Sequence, residues 1–440
     1  MNQGKNWAEL ETNEKGHLMF GGCDTVELAK EYGTPLYVMD ESRIRRVCRE
    51  FRQTFQEQNI KGRILYASKA FASLAMYKIV ASEELGCDVV SMGELYTALQ
   101  AGMPPERIYM NGNNKTFDEI RYAVESGIGR ITIDSHEEIA IIADCAKELG
   151  KIANVSLRVK PGIEAHTHDY ITTGSNDSKF GLGVADGEAM KAVRTILSQP
   201  DLHFVGLHAH IGSQIFELEP FLLCSGVLAD FMQRIHQELD YALEEINFGG
   251  GYGIRYTGED EPLPPAEYVR EITSHFIRQC EERGMAIPAM VIEPGRAIAG
   301  EAGITLYTVG TVKDIPGVRR YVSVDGGMGD NPRPALYEAE YSAVLANKAN
   351  LAASDSVRLA GRYCESGDVL IRDIALPPVE RGDIVAVLST GAYNYSMAMQ
   401  YNRVQIPAVA LVHEGNAELM VKRQSLEQIV QNDLVPSWLR

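Results

Sequence analysis

The 440-residue chain carries 42 basic against 60 acidic side chains, a formal charge of −18, and 45% of its residues are hydrophobic. A chain this long and this apolar can bury a large core and build two or three domains. Its acidity repels phosphate backbones, which sets nucleic acid aside as a partner, while a small substrate can still sit in a locally basic pocket.

No run approaches the ~18 apolar residues of a membrane span. The polar start MNQGKNWAEL has neither the basic stretch nor the apolar run of a secretory signal. The seven cysteines, at 23, 48, 87, 145, 224, 280 and 364, are odd in number, and no two are spaced C-x-x-C. That pattern suits reduced thiols that pack as small hydrophobes, not a disulfide framework or a zinc ribbon. We expect a cytoplasmic protein with no membrane contact.

In chain order, segment 35–39 is strand-like. From about residue 60 short β-rich runs alternate with helical stretches: candidate strands 63–67, 88–91, 107–111, 130–133, 155–159, 204–209, 245–248 and 289–293, and between them helices such as 73–84, 93–101, 135–149, 219–239 and 265–283. Alternation of this kind implies parallel β/α units, and eight of them match an α/β fold of the (β/α)8 TIM-barrel type. A doubly wound open sheet is the competing layout. Beyond residue 293 helices become scarce, and 304–312, 320–324, 357–360, 369–371, 384–387, 404–410 and 418–421 read as strands of a C-terminal all-β domain. Strand 35–39 could join that sheet. The expected domains are an N-terminal segment, 1–42, that joins the β domain, a barrel over 43–294 and the β domain over 295–440.

The chemically notable residues fall where barrel strands end, the face on which such barrels carry function. Lys69 follows the first strand in YASKA, Arg158 ends the fifth, His208 and His210 close the sixth, Gly249, Gly250 and Gly251 follow the seventh, and Glu293 ends the eighth in VIEPGR. The glycines can let backbone amides approach a phosphate, or simply make a tight turn. A dinucleotide fingerprint is excluded, because Gly251 and Gly253 have no third glycine after them. A strand-end lysine is often solvated; desolvated, it becomes a nucleophile toward carbonyl groups. His208 and His210 share a strand face, and packed or stacked rings suit them better than zinc, since no third ligand has matching spacing. Glu293 sits in an apolar context and could hold a protonated ring nitrogen. Arg296 would supply a cation for a phosphate or carboxylate. Cys364, Glu365 and Tyr393 are unremarkable on their own.

Assembled in order, the motifs YASKA (66–70), SMGEL (91–95), HTHDYITTGSNDSKFGLG (166–183), HAHIGSQ (208–214), NFGGGYG (247–253), EPGR (293–296), DGGMGDNPRPALY (325–337), CESGD (364–368) and GAYNYSMA (391–398) resemble the fold-type III pyridoxal-phosphate-dependent decarboxylases, and among them the branch that acts on meso-diaminopimelate. The resemblance spans about residues 35 to 411. It implies pyridoxal 5'-phosphate as cofactor, with Lys69 as its covalent anchor, His210 stacked on its ring, Glu293 at its pyridine nitrogen, and Ser213, Gly250, Gly251, Gly295 and Arg296 around its phosphate. Asp88, Arg158 and Tyr393 complete the implied cofactor set. Arg296, Arg333, Tyr337, Glu365 and Tyr393 are the implied substrate set, and Cys364 the implied proton donor. In this family that donor comes from the neighbouring subunit, which implies a homodimer with shared sites.

The implied reaction is decarboxylation of meso-2,6-diaminopimelate at its D centre to L-lysine and CO2. Two arginines, Arg296 and Arg333, favour a dicarboxylic substrate, because guanidinium binds carboxylate through two parallel hydrogen bonds. Three alternatives stay open: a decarboxylase of ornithine, arginine or carboxynorspermidine, a non-catalytic regulatory homologue, and a racemase of the same fold. Retention of Lys69 and Cys364 weighs against the second of these.

Overall fold

The computed structural model describes residues 10–163 and 178–439, so the first twelve residues of the HTHDYITTGSNDSKFGLG motif lie outside the described residues. The chain divides into two compact units, Arg45–Ile254 with Glu261–Ile298, and Met1–Ile44 with Arg255–Asp260 and Ala299–Arg440.

The first unit is a closed barrel of parallel strands. They run Gly62–Ala67, Gly86–Val89, Ile108–Met110, Arg130–Ile133, Ala153–Lys160, Leu202–His208, Glu245–Asn247 and Ala289–Ile292. Each pairs with the next, and the eighth returns to the first through Met290 beside Gly62. A barrel strand is covered on both faces, which is why ILYA and AMVI read as unbroken apolar runs. Several helices start on a capping side chain placed just past a strand: Ser73, Ser91, Thr116 and Ser135 each accept an N–H from the first turn. Thr116 and Glu119 form a full capping box. Gly206 in the sixth strand has no room for a side chain, because a Cβ there would lie 1.8 Å from the Glu245 carbonyl oxygen of the seventh.

The second unit is built on a sheet in the order Val369–Leu376, Asp355–Ala360, Arg319–Val324, Gly303–Ile315, Leu36–Asp40, Ala408–His413 and Asn416–Val421. The early strand Leu36–Asp40 joins it as expected, antiparallel to Gly303–Ile315 and parallel to Ala408–His413. Leu18, Phe20, Val38, Ile304, Leu306 and Val412 pack into one core, so N- and C-terminal segments share it. One expected strand is shorter than the sequence suggested. The run 404–410 yields a strand only from Ala408, because a turn at Tyr401–Arg403 and Pro407, which has no N–H to give a ladder, occupy the start. Strand Ala343–Leu345 was not expected; at three residues it carries too little pattern to read. Among the described residues, no helix is long and apolar enough to cross a membrane.

Candidate active site

The barrel's C-terminal face gathers the residues singled out at the strand ends. Glu293, one residue past the eighth strand, is buried. Its Oε2 accepts from His208 Nε2 at 3.0 Å, and its Oε1 accepts from Asn247 Nδ2 at 2.7 Å and Asn111 Nδ2 at 3.1 Å. Burial alone would raise this carboxyl. The His208 charge and hydrogen bond, with the two amides, outweigh it and hold the group down at about 2. Asn111 also donates to Asp88 Oδ1 at 2.7 Å. Asp88 is pushed well above the carboxylate range, first by burial and then by the Glu293 charge, with Lys69 opposing. The two carboxyls are therefore pushed in opposite directions, Glu293 toward its ionised form and Asp88 toward its protonated one.

Lys69 stands in the turn Ser68–Ala70 directly after the first strand, exposed between two buried neighbours. The desolvated setting considered for this lysine is thus absent from the barrel unit itself. His210 accepts the Gly250 N–H on Nδ1 at 3.3 Å. Burial first, then the charges of Lys69 and Arg158, hold its imidazole well below the usual range, leaving a neutral flat ring. Arg158 lies 3.8 Å from Asp134 Oδ1 and stacks 4.3 Å from the Phe180 ring centroid.

Beside this cluster the loops after the sixth, seventh and eighth strands press together around an anion-binding donor set. A Cβ on Gly250 would lie 2.2 Å from the Glu293 carbonyl oxygen, and one on Gly251, whose φ is +113°, 2.4 Å from that of Gly212. Only glycine permits this approach. Arg296 is buried and donates from Nε and Nη2 to the Ser213 hydroxyl at 3.2 and 2.9 Å. The amides of Gly251 and Gly295 donate to no acceptor among the described residues. A guanidinium, a hydroxyl and uncommitted amides suit a phosphate; an ionised carboxylate held in place suits a protonated ring nitrogen; and a lysine suits an aldehyde. The residues present fit pyridoxal phosphate.

The sheet unit positions the remaining residues. Arg333 is buried at the start of the short helix Arg333–Tyr337, which ends on half-buried Tyr337. Its guanidinium lies 4.8 Å from the Tyr256 ring centroid and 5.5 Å from that of Tyr341, and donates to the Tyr341 hydroxyl. Tyr393 takes a left-handed φ of 60°, uncommon outside glycine and a mark of functional sites. Cys364 is exposed while the six other cysteines are buried. Its N–H donates to Asn402 Oδ1 at 2.9 Å, and exposed Glu365 follows it. Two buried carboxyls join the segments that carry Arg333 and Cys364. Asp368 accepts the amides of Met328 and Tyr363 at 2.7 Å each. Asp330 accepts the Tyr307 hydroxyl at 2.5 Å, the Gly327 N–H at 3.1 Å and the Tyr363 hydroxyl at 3.4 Å.

Sequence reasoning did not single out Asn111 or Asn247, and it gave His208 no role beyond packing. All three end barrel strands, and position at a strand end was the available signal. His166 and His168 lie outside the described residues.

Residues 41–300 match the family model described as pyridoxal-dependent decarboxylase, pyridoxal binding domain. The chain is 49% identical over 422 residues to the diaminopimelate decarboxylase of Bacillus subtilis, covering 96% of each protein. It is 50% identical to that of Bacillus methanolicus, over 94% of this chain and 96% of that one. The crystal structure of diaminopimelate decarboxylase from M. jannaschii in complex with L-lysine superposes with a TM-score of 0.91 at 35% identity, covering 98% of both chains. With most of its length matched and its barrel face equipped for the cofactor, this chain belongs to the pyridoxal-dependent decarboxylases, in their diaminopimelate decarboxylase branch.

Proposed function

We propose that the protein is a carboxy-lyase that converts meso-2,6-diaminopimelate to L-lysine and CO2, the last step of lysine synthesis. The observation that carries this reading is the pairing, on one barrel face, of an ionised Glu293 with the Ser213–Arg296 anion cradle. Bound pyridoxal phosphate supplies an electron sink for the pair left at Cα when CO2 departs. Glu293 keeps the ring nitrogen protonated by direct charge pairing, which deepens that sink. His210 covers the ring with an uncharged face. Ser213, Arg296 and the amides of Gly251 and Gly295 would hold the phosphate, with Gly250 allowing its close approach, while Tyr393 adds its hydroxyl and Asp88 and Arg158 complete the shell.

Lys69 would anchor the cofactor through its aldehyde carbon. Arg333 takes the distal carboxylate, Glu365 the distal ammonium, and Tyr337 and Arg296 line the substrate. Cys364 returns a proton to Cα, a general-acid role open to a positioned thiol. Its exposure in the sheet unit supports delivery from a second copy of the chain, in a homodimer with shared sites. We place the enzyme in the cytoplasm and assign the cofactor barrel to 43–294, between the N-terminal segment 1–42 and the β domain 295–440.

Lys69→Ala tests the assignment. Loss of the visible absorbance of bound cofactor together with decarboxylation is expected, and retention of both would remove Lys69 from its role.

A further inference from the structure

We propose that His208 is the positioning residue that assigns the single negative charge of the Asp88–Glu293 pair to Glu293. The inference rests on the cofactor reading above and deepens it.

A carboxylate has about four lone-pair sites. On Glu293, Oε1 is filled by two amides, from Asn247 and Asn111, and Oε2 receives one donor, His208 Nε2. One site on Oε2 remains, beside the histidine bond. His208 is itself 1% exposed, and its Nδ1 is buried without a hydrogen-bond partner among the described residues. Nε2 lies 3.0 Å from a carboxylate oxygen, which when ionised can only accept, so Nε2 carries a proton and points it at Glu293.

Among the described residues Asp88 has no comparable donor. It is buried, and one amide, Asn111 Nδ2, bridges it to Glu293. Two carboxyls this close cannot both ionise cheaply, so the better-donated one keeps the charge. Without His208 that asymmetry shrinks, and the shared proton can pass to Glu293. A protonated Glu293 no longer pairs with a cationic ring nitrogen, although the phosphate cradle is untouched. Arg158 acts on both members, Lys69 and Glu94 act on Asp88 in opposite senses, and His210 faces Glu293.

The test compares equilibrium binding of pyridoxal phosphate and of its deaza analogue, in which a C–H replaces the ring nitrogen, to cofactor-depleted enzyme. The wild type should prefer the natural cofactor. His208→Leu, which removes the donor, should lose roughly tenfold to a hundredfold of that preference, the span of one hydrogen bond to a charged group. His208→Gln, whose amide can donate from nearly the same point, should keep most of it. A preference unchanged in His208→Leu would overturn the proposal, as would an equal loss for both ligands in the two variants, which marks a merely structural residue. If the wild type binds neither ligand, the cofactor reading itself fails, and the proposal with it.

Discussion

Replacing Asp330 by asparagine should change how stability depends on pH. Asp330 is 1% exposed and lies among the Tyr307 and Tyr363 hydroxyls and the Gly327 amide. Burial raises its carboxyl to about 7 against an ordinary 3.8; the Tyr307 and Gly327 donors pull it back, and Asp368 and Asp325 add to the rise. An acid whose folded value lies above its unfolded one binds its proton more tightly when folded. Its contribution is therefore fully present below pH 3.8 and is lost as pH rises through about 7. At ~1.4 kcal/mol per tenfold, that gap amounts to about 4 kcal/mol. Asparagine has no such proton. It turns an N–H toward the Gly327 amide or the Tyr363 hydroxyl, at a pH-independent cost of ~1–3 kcal/mol. Urea unfolding followed by circular dichroism, repeated from pH 4 to pH 8, should show the variant less stable at the acid end and gaining on the wild type by about 4 kcal/mol toward pH 8. Parallel stability curves for the two proteins would refute the reasoning.

Lys115→Met should destabilise the barrel by ~3–5 kcal/mol, since Lys115 Nζ lies 2.9 Å from Glu138 with both side chains almost wholly buried, and the change strands a carboxylate; adding Glu138→Gln should restore much of the lost melting temperature. Arg333→Leu should raise KM for diaminopimelate on the order of a hundredfold with a smaller change in kcat, as a lost charged hydrogen-bond pair requires; an unchanged KM would remove Arg333 from the substrate set. Mixing inactive Lys69→Ala and Cys364→Ala subunits should recover about a quarter of wild-type activity, because half the dimers of a random mixture are hybrids with one complete site. No recovery, with hybrids demonstrated, would contradict the shared site.

Much of the architecture was legible because its physics is local. The barrel strands were placed within two residues at most ends, since a strand buried on both faces must be continuously apolar. Strand Leu36–Asp40 was legible for the same reason, and its sheet followed from the β-rich texture after residue 293. Glu293 stood out as a charge in an apolar run. The networks were not legible, because they depend on contacts distant in sequence. His208 meets Glu293 across 85 residues, and Tyr37 reaches the Asp330 carbonyl across 293. An asparagine at a strand end has no pattern that distinguishes a charge-holding amide, such as Asn247, from an ordinary turn residue. The exposure of Lys69 was hidden too, because small apolar neighbours in YASKA do not reveal that its side chain is exposed between a buried Ser68 and Ala70.

The central claim is most directly tested by product formation from purified protein, pyridoxal phosphate and four separate substrates: meso-diaminopimelate, L-ornithine, L-arginine and carboxynorspermidine. Lysine and CO2 from diaminopimelate alone is the predicted result. Turnover of another amine in its place would contradict the substrate assignment, and no turnover of any substrate by cofactor-loaded protein would contradict the enzyme itself.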